Sequence, residues 1–157
     1  MPALNKKRNL REYISGYVDG EGSFCVSFSK RSNFLVGWET KPSLSISQKK
    51  ERAQVLYIIQ HMFRCGFIRY DSSDGTLKYE VRSLDDLIDI VIPHFEKYPL
   101  LSPKQKDFLS FRKICYLMKK KKHRHVQGLK KIVRIACTMN PSGKRKYSRN
   151  DILKTLR

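Results

Sequence analysis

At 157 residues the chain is long enough for one domain with a single core. It carries 33 Lys and Arg against 14 Asp and Glu, a formal charge of +19 at pH 7. That balance argues against an enzyme for small neutral metabolites and for a polyanion partner, because each cation set on a phosphate releases condensed counterions; a solvated basic surface or a ribosome-associated fold is the plainer alternative.

Residues 1–8 are basic and expected to be loose. Asn9 followed by Glu12 has capping-box spacing and predicts a helix from about Leu10. Leu10, Tyr13, Ile14, Tyr17 and Val18 recur at helical spacing, while Ser15, Gly16, Asp19 and Gly20 leave a face of small side chains where another backbone could approach closely. From Ser23 to Arg31 the period changes to two, with Phe24, Val26 and Phe28 on one side, and a second strand follows near Val36 to Gln48. Pro42 removes a ladder donor and predicts an irregular or edge position there. Residues 49–64 read as an amphipathic helix with Val55, Ile58, Ile59, Met62 and Phe63 inward and Cys65-Gly66 at its end. A hairpin follows, Phe67 to Tyr70 and Leu77 to Arg82 around Asp74-Gly75. Ser83 is placed to cap a third helix that ends by Pro99.

The last third reads as helical and basic. Pro103 marks a helix start, the basic run 119–125 interrupts, a helix from about Val126 to Met139 follows, and a short one lies after Ser148. The four cysteines, Cys25, Cys65, Cys115 and Cys137, form no C-x-x-C pair, which argues against a zinc site, and their apolar neighbours suit reduced, buried thiols in an intracellular protein. His123 and His125 lie inside the basic run, where phosphate contact or solvation outweighs metal binding. No apolar run of about 18 residues occurs, so neither membrane insertion nor secretion is expected.

Chemistry concentrates where the first helix meets the first strand. The stretch Y-I-S-G-Y-V-D-G-E-G, Tyr13 to Gly22, ends a helix on two carboxylates, Asp19 and Glu21, and passes at once into a strand pattern. A helix end that presents an acid is a way to place a metal ligand. Polar residues alternating along four strands would form a free face able to read base edges in a major groove, although simple solvent exposure gives the same alternation.

Y-I-S-G-Y-V-D-G-E-G-S-F resembles the signature of the LAGLIDADG homing endonucleases, and the expected order helix-strand-strand-helix-strand-strand-helix is similar to that family's core over about residues 8–121. The resemblance implies an α+β fold, αββαββα, with a saddle-shaped antiparallel sheet. The whole chain, 1–157, would then be one endonuclease domain, with a basic helical C-terminal part at about 122–157. It also implies a site-specific double-strand DNA endonuclease that leaves 3′ overhangs. Its metal would be Mg2+, with Mn2+ or Ca2+ able to occupy the same site, held by Glu21 and the carbonyl of Gly20. Asp19 would serve helix-end geometry and charge balance.

By the same resemblance Gln48 and Arg52 would order water near the scissile phosphate, and Lys104 would polarise water or offset charge in the transition state. One motif in the chain implies a homodimer packed through Tyr13, Gly16, Tyr17 and Gly20, reading a pseudo-palindromic duplex. The strand register offers Ser27, Ser29, Arg31, Asn33, Glu39, Lys41, Ser43, Ser45, Arg69, Asp71, Lys78, Glu80 and Arg82 as base-reading residues. Lys119 to Arg124 and Lys144 to Lys146 are expected phosphate contacts. No small-molecule cofactor is expected, and organellar synthesis is the implied compartment. Two rivals remain at this level: an RNA maturase assisting group I intron splicing, and a non-catalytic DNA-binding regulator.

Overall fold

Asn9 starts the first helix by accepting the amides of Arg11 and Glu12 at 3.2 and 3.3 Å. The computed structural model describes residues 9–141 and 143–157; the segment 1–8 expected to be loose lies outside them. In chain order come α1 (Leu10–Glu21), β1 (Gly22–Lys30), β2 (Trp38–Lys49), α2 (Gln54–Phe63), β3 (Phe67–Asp71) and β4 (Thr76–Val81). A continuous helical rod follows, made of α3 (Leu84–Asp86), a π-helical turn (Leu87–Val91) and α4 (Ile92–Lys97). Then come α5 (Lys104–Lys119), α6 (Val126–Ala136) and α7 (Arg149–Lys154). The strands form one antiparallel sheet in the order β1-β2-β4-β3. This is the mixed fold and element order that the hydrophobic periods predict.

The differences are local and have physical causes. β2 continues to Lys49 because Gln48 and Lys49 still pair with Leu77 and Thr76 of β4, so the helix expected from residue 49 begins at Gln54 after a tight turn at Lys50–Arg52. Leu56, absent from the expected inward set, is buried with Ile59 and Phe63, whereas Val55, Ile58 and Met62 are half-buried. Arg64 takes the left-handed cap at φ 55°, and Gly66, at φ 76°, follows two residues later. Pro42 pairs with Val26 of β1 but lies before the stretch of β2 that gains β4, so an inner strand is locally an edge. Ser83 does cap α3, accepting the Asp86 amide at 3.3 Å.

One face of the sheet builds the core. Phe24, Val26, Leu44, Ile46, Tyr79 and Val81 meet Ile14 and Val18 of α1, Leu56 and Ile59 of α2, and Phe95, Phe108 and Phe111 from the later helices. Phe24, two residues beyond α1 and β1's junction glycine, is the hub, with the rings of Phe95, Phe108 and Phe111 each 5.3 Å from its own. Burying a ring of this size is worth a few kcal/mol, so the core grips the chain immediately after the acidic motif. Of the cysteines only Cys115 is buried, its thiol pushed up to about 12 by burial; Cys25, Cys65 and Cys137 are half-buried, and Cys25 lies on the opposite face of the sheet.

The C-terminal segment closes the free edge of β1. Asn140 donates its side-chain amide to the Phe24 carbonyl at 2.8 Å, and Arg145 donates to Val26 at 2.8 Å and to the Ala136 carbonyl. Farther along, Trp38 donates to Thr155 at 3.1 Å and packs edge-on against Tyr147. An open strand edge is a template for unwanted pairing, and this strap occupies it. Arg145, expected as a phosphate contact, is therefore turned inward, because the edge carbonyls need donors; Lys144 and Lys146 on either side remain exposed.

Candidate active site and nucleic-acid face

The junction of α1 and β1 has almost no room. A Cβ on Gly22 would come 2.7 Å from Val18 Cγ1 and 3.0 Å from the Val18 carbonyl, so only glycine lets the helix pass directly into the strand. The Gly22 amide closes the helix on the Val18 carbonyl. Glu21 is thereby left exposed at the helix end, with Gly20 beside it.

Three further elements converge on that end. Gln48 near the end of β2 and Arg52 in the tight turn line one groove with Glu21, Lys49 and Glu51. The Tyr17 hydroxyl has its pKa raised by burial, against a hydrogen bond to Gln48 that lowers it. Lys104, at the start of α5, donates to the carbonyls of Val18 at 3.0 Å and Asp19 at 2.9 Å. Burial depresses the Lys104 pKa, while the charges of Asp19, Glu21 and Asp107 pull it back up. Glu21, Gln48, Arg52 and Lys104 thus come to the same end of the molecule from four different elements.

Asp19 faces elsewhere. Its carboxylate accepts the amides of Leu101 at 3.0 Å and Ser102 at 2.9 Å, and the Ser102 hydroxyl. Burial would raise its pKa, but those hydrogen bonds outweigh burial and hold it below the ordinary range. The helix-end role expected for Asp19 fits this geometry; the Ser102 contact was missed, although a serine before Pro103 at a helix start was the available signal.

α1 also has an outward face. Tyr13 is 54% exposed, and a Cβ added at Gly16 or Gly20 would meet nothing within 4 Å. These glycines are not small for the sake of this chain's own packing. Leu101, 95% exposed, stands beside this face in a hollow shared with Gly16 and Tyr98.

The sheet face away from the core carries the predicted polar residues in register. Ser27, Ser29 and Ser43 on β1 and β2 lie beside Lys41, Glu39 and Ser45, with Ser27 opposite Lys41 and Ser29 opposite Glu39. Arg31 pairs with Glu39 at 2.8 Å, and Lys41 reaches the same carboxylate at 3.4 Å. Asn33 is exposed in the β1–β2 loop, off the strands. Across β3 and β4 the groups form an ion-pair net: Glu80 with Arg69 at 2.9 Å and with Arg82, and Asp71 with Lys78 at 2.7 Å. Glu80 is only 6% exposed and Asp71 also accepts from Ser73, so these two acids act first as struts that hold the cations in place.

Among the described residues no three His, Cys, Asp or Glu gather as a metal cluster. The donors at the helix end are one carboxylate and neighbouring carbonyls, hard oxygens that suit an ion completing its shell with water and phosphate, as Mg2+ does. No helix of the described residues is long and apolar enough to cross a membrane.

The elements thus set a polar, cation-bearing sheet face beside an exposed acid at a helix end. The profile of the LAGLIDADG endonucleases matches residues 14–115, and the chain belongs to that family. It is 34% identical over 129 residues to a protein of Neurospora crassa named probable intron-encoded endonuclease 2, covering 82% of this chain and 28% of that one. Among solved structures it resembles the homing endonuclease I-TnaI with a TM-score of 0.81 and 33% identity, covering 92% of this chain and 94% of that one. It also resembles I-SmaMI bound to an uncleaved DNA target in the presence of calcium ions, with a TM-score of 0.81, 32% identity, and 87% and 46% of the two chains covered. The chain thus spans about a quarter of the first curated relatives it matches.

Proposed function

We propose that the protein is a site-specific double-strand DNA endonuclease that works as a pair of identical subunits and leaves 3′ overhangs. The observation that carries this reading is Glu21, held exposed at a helix end by a glycine junction, in one groove with Gln48 and Arg52. Glu21 and the Gly20 carbonyl would hold a divalent ion, Mg2+ by choice of hard donors, with Mn2+ or Ca2+ as substitutes. Such an ion supplies Lewis acidity and a more acidic bound water for phosphodiester hydrolysis. Gln48 would orient a water by hydrogen bonding, and Arg52 would offer its guanidinium to the phosphate. Lys104, tied to α1 by two hydrogen bonds, would place its charge beside the developing negative charge.

Dimerisation through Tyr13, Gly16, Tyr17 and Gly20 is supported by the open space over both glycines, and Leu101 extends that face. A single unit presents one acid; two units would bring two acids together to serve the two strands. Base reading would fall to Ser27, Ser29, Arg31, Asn33, Lys41, Ser43, Ser45, Arg69, Lys78 and Arg82, with Glu39, Asp71 and Glu80 setting their charges in place. Likeness to a protein named as a probable intron-encoded endonuclease supports an intron-borne gene, for which an organelle is the compartment proposed.

The test is cleavage of a randomised duplex library with Mg2+, comparing wild type with Glu21→Gln. A discrete set of sites is cut by the wild type, and Glu21→Gln lowers the rate by about 10³-fold, the scale of losing a charge-stabilising group at a reaction centre. A wild type that cuts nothing above the Glu21→Gln background ends this reading.

A further inference from the structure

The end of α1 is tied to the start of α5 by a closed ring of hydrogen bonds. The Asp19 carboxylate takes the amide and hydroxyl of Ser102; the Ser102 oxygen takes the Lys104 amide at 3.1 Å; and the Lys104 ammonium returns to the Asp19 carbonyl at 2.9 Å. The same ammonium donates to the Val18 carbonyl, so two of its three N–H groups are committed to the helix end. The Val18 carbonyl also accepts the Gly22 amide that closes the helix, and the Asp19 carbonyl is the first beyond that closure. The next two positions are Gly20 and Glu21. A ring that holds the first pair anchors the backbone from which the Gly20 carbonyl and the Glu21 side chain project.

We infer that Asp19 and Ser102 are positioning residues which, through Lys104, aim the Gly20 carbonyl and the Glu21 carboxylate as a metal-binding pair. The inference rests on the proposed metal role of Glu21 and extends it to residues that touch neither ion nor DNA. Two features separate it from ordinary helix capping. The bonds cross 83 to 86 residues of sequence and join two elements, so they set the orientation of one against the other. Ser102 serves at once as donor to Asp19 and acceptor from Lys104, and only a hydroxyl at that position does both. Outer partners of this kind shift metal affinity by about 10- to 100-fold when removed.

The experiment is Mn2+ binding followed by loss of the free-ion electron paramagnetic resonance signal, with the full chain alone and with random duplex DNA. Wild type, Glu21→Gln, Asp19→Asn, Ser102→Ala and Ser102→Thr are compared, together with their melting temperatures and metal-free DNA affinities. Ser102→Ala and Asp19→Asn weaken Mn2+ binding at least about tenfold while DNA affinity without metal is unchanged, and Ser102→Thr, which keeps the hydroxyl, recovers the affinity. If the variants bind Mn2+ as the wild type does while Glu21→Gln does not, the positioning role is overturned and the metal site stands. If Glu21→Gln binds as the wild type does, the metal reading of Glu21 itself has failed. Should Asp19→Asn not fold, the Ala and Thr pair at Ser102 decides, since a role in stability alone gives no loss of affinity at equal melting temperature.

Discussion

The two faces of α1 are built on opposite rules. Inward, Ile14, Ser15 and Val18 are packed or bonded: the two aliphatics are fully buried, and the Ser15 hydroxyl donates to the Tyr98 carbonyl at 2.6 Å and meets His94 Nε2 at 3.1 Å. Outward, Tyr13, Gly16 and Gly20 touch little of their own chain, and Tyr17 between them is half-buried at the edge of the core. Even the glycines differ, because Gly22 is small to spare Val18 and Gly16 is small with nothing to spare. One helix thus holds residues chosen for this chain's core and residues whose reason lies outside it.

That contrast breaks most visibly at Gly16. Gly16→Leu leaves the fold intact, since a Cβ there meets nothing within 4 Å and leucine is a better helix former than glycine. In the proposed dimer it separates the pair, and double-strand cleavage falls by about 10²-fold although Glu21 is untouched, the scale of a small misplacement at a reaction centre. Sedimentation and a supercoiled-plasmid assay read both effects. Full cutting by a verified monomer would reverse the assignment of this face.

On the inward side the expected cost is in stability. Val18→Ala removes two methyl groups from a fully buried site against the junction and lowers unfolding free energy by about 1–3 kcal/mol. Urea denaturation measures it, and the oligomeric state of the folded fraction stays as in the wild type. A larger effect on association than on unfolding would mean that the two faces are not separable.

The smallest expected effect comes from acid. Burial, aided by the charge of Arg11, lowers the His94 pKa from 6.5 to about 4. The unfolded chain therefore binds the proton first, and stability is lost as the pH falls from about 6.5 toward 4. Allowing for partial solvent screening, the loss is about 1–2 kcal/mol. Denaturation midpoints at pH 7 and pH 5 measure the slope, and His94→Asn flattens it. An unchanged slope in that variant would assign the acid sensitivity to another group.

Much of this was legible in the residues. The change of period from helical to two at Ser23 marks the α1–β1 junction because helices and strands expose side chains at different repeats. The outward strand residues could be named for the same reason. Boundaries set by partners were not legible: β2 outlasts its expected end because β4 pairs with Gln48 and Lys49, a contact between residues far apart in sequence. Arg145 looked like one more cation in a basic run, and only the bare edge of β1 explains its inward turn. Asp19 and Ser102 each carried a local signal, but nothing local joins residues 83 positions apart.

By itself the sequence determined the element order, the acid at the helix end, the basic balance and the family, since these depend on local period, composition and a contiguous motif. Tertiary structure decided which groups meet: that Gln48 and Arg52 share a groove with Glu21, that Lys104 grips the end of α1, and that Gly16 and Gly20 face open space. Those meetings depend on how distant elements pack about Phe24 and its ring of aromatics, and packing is a property of the folded chain.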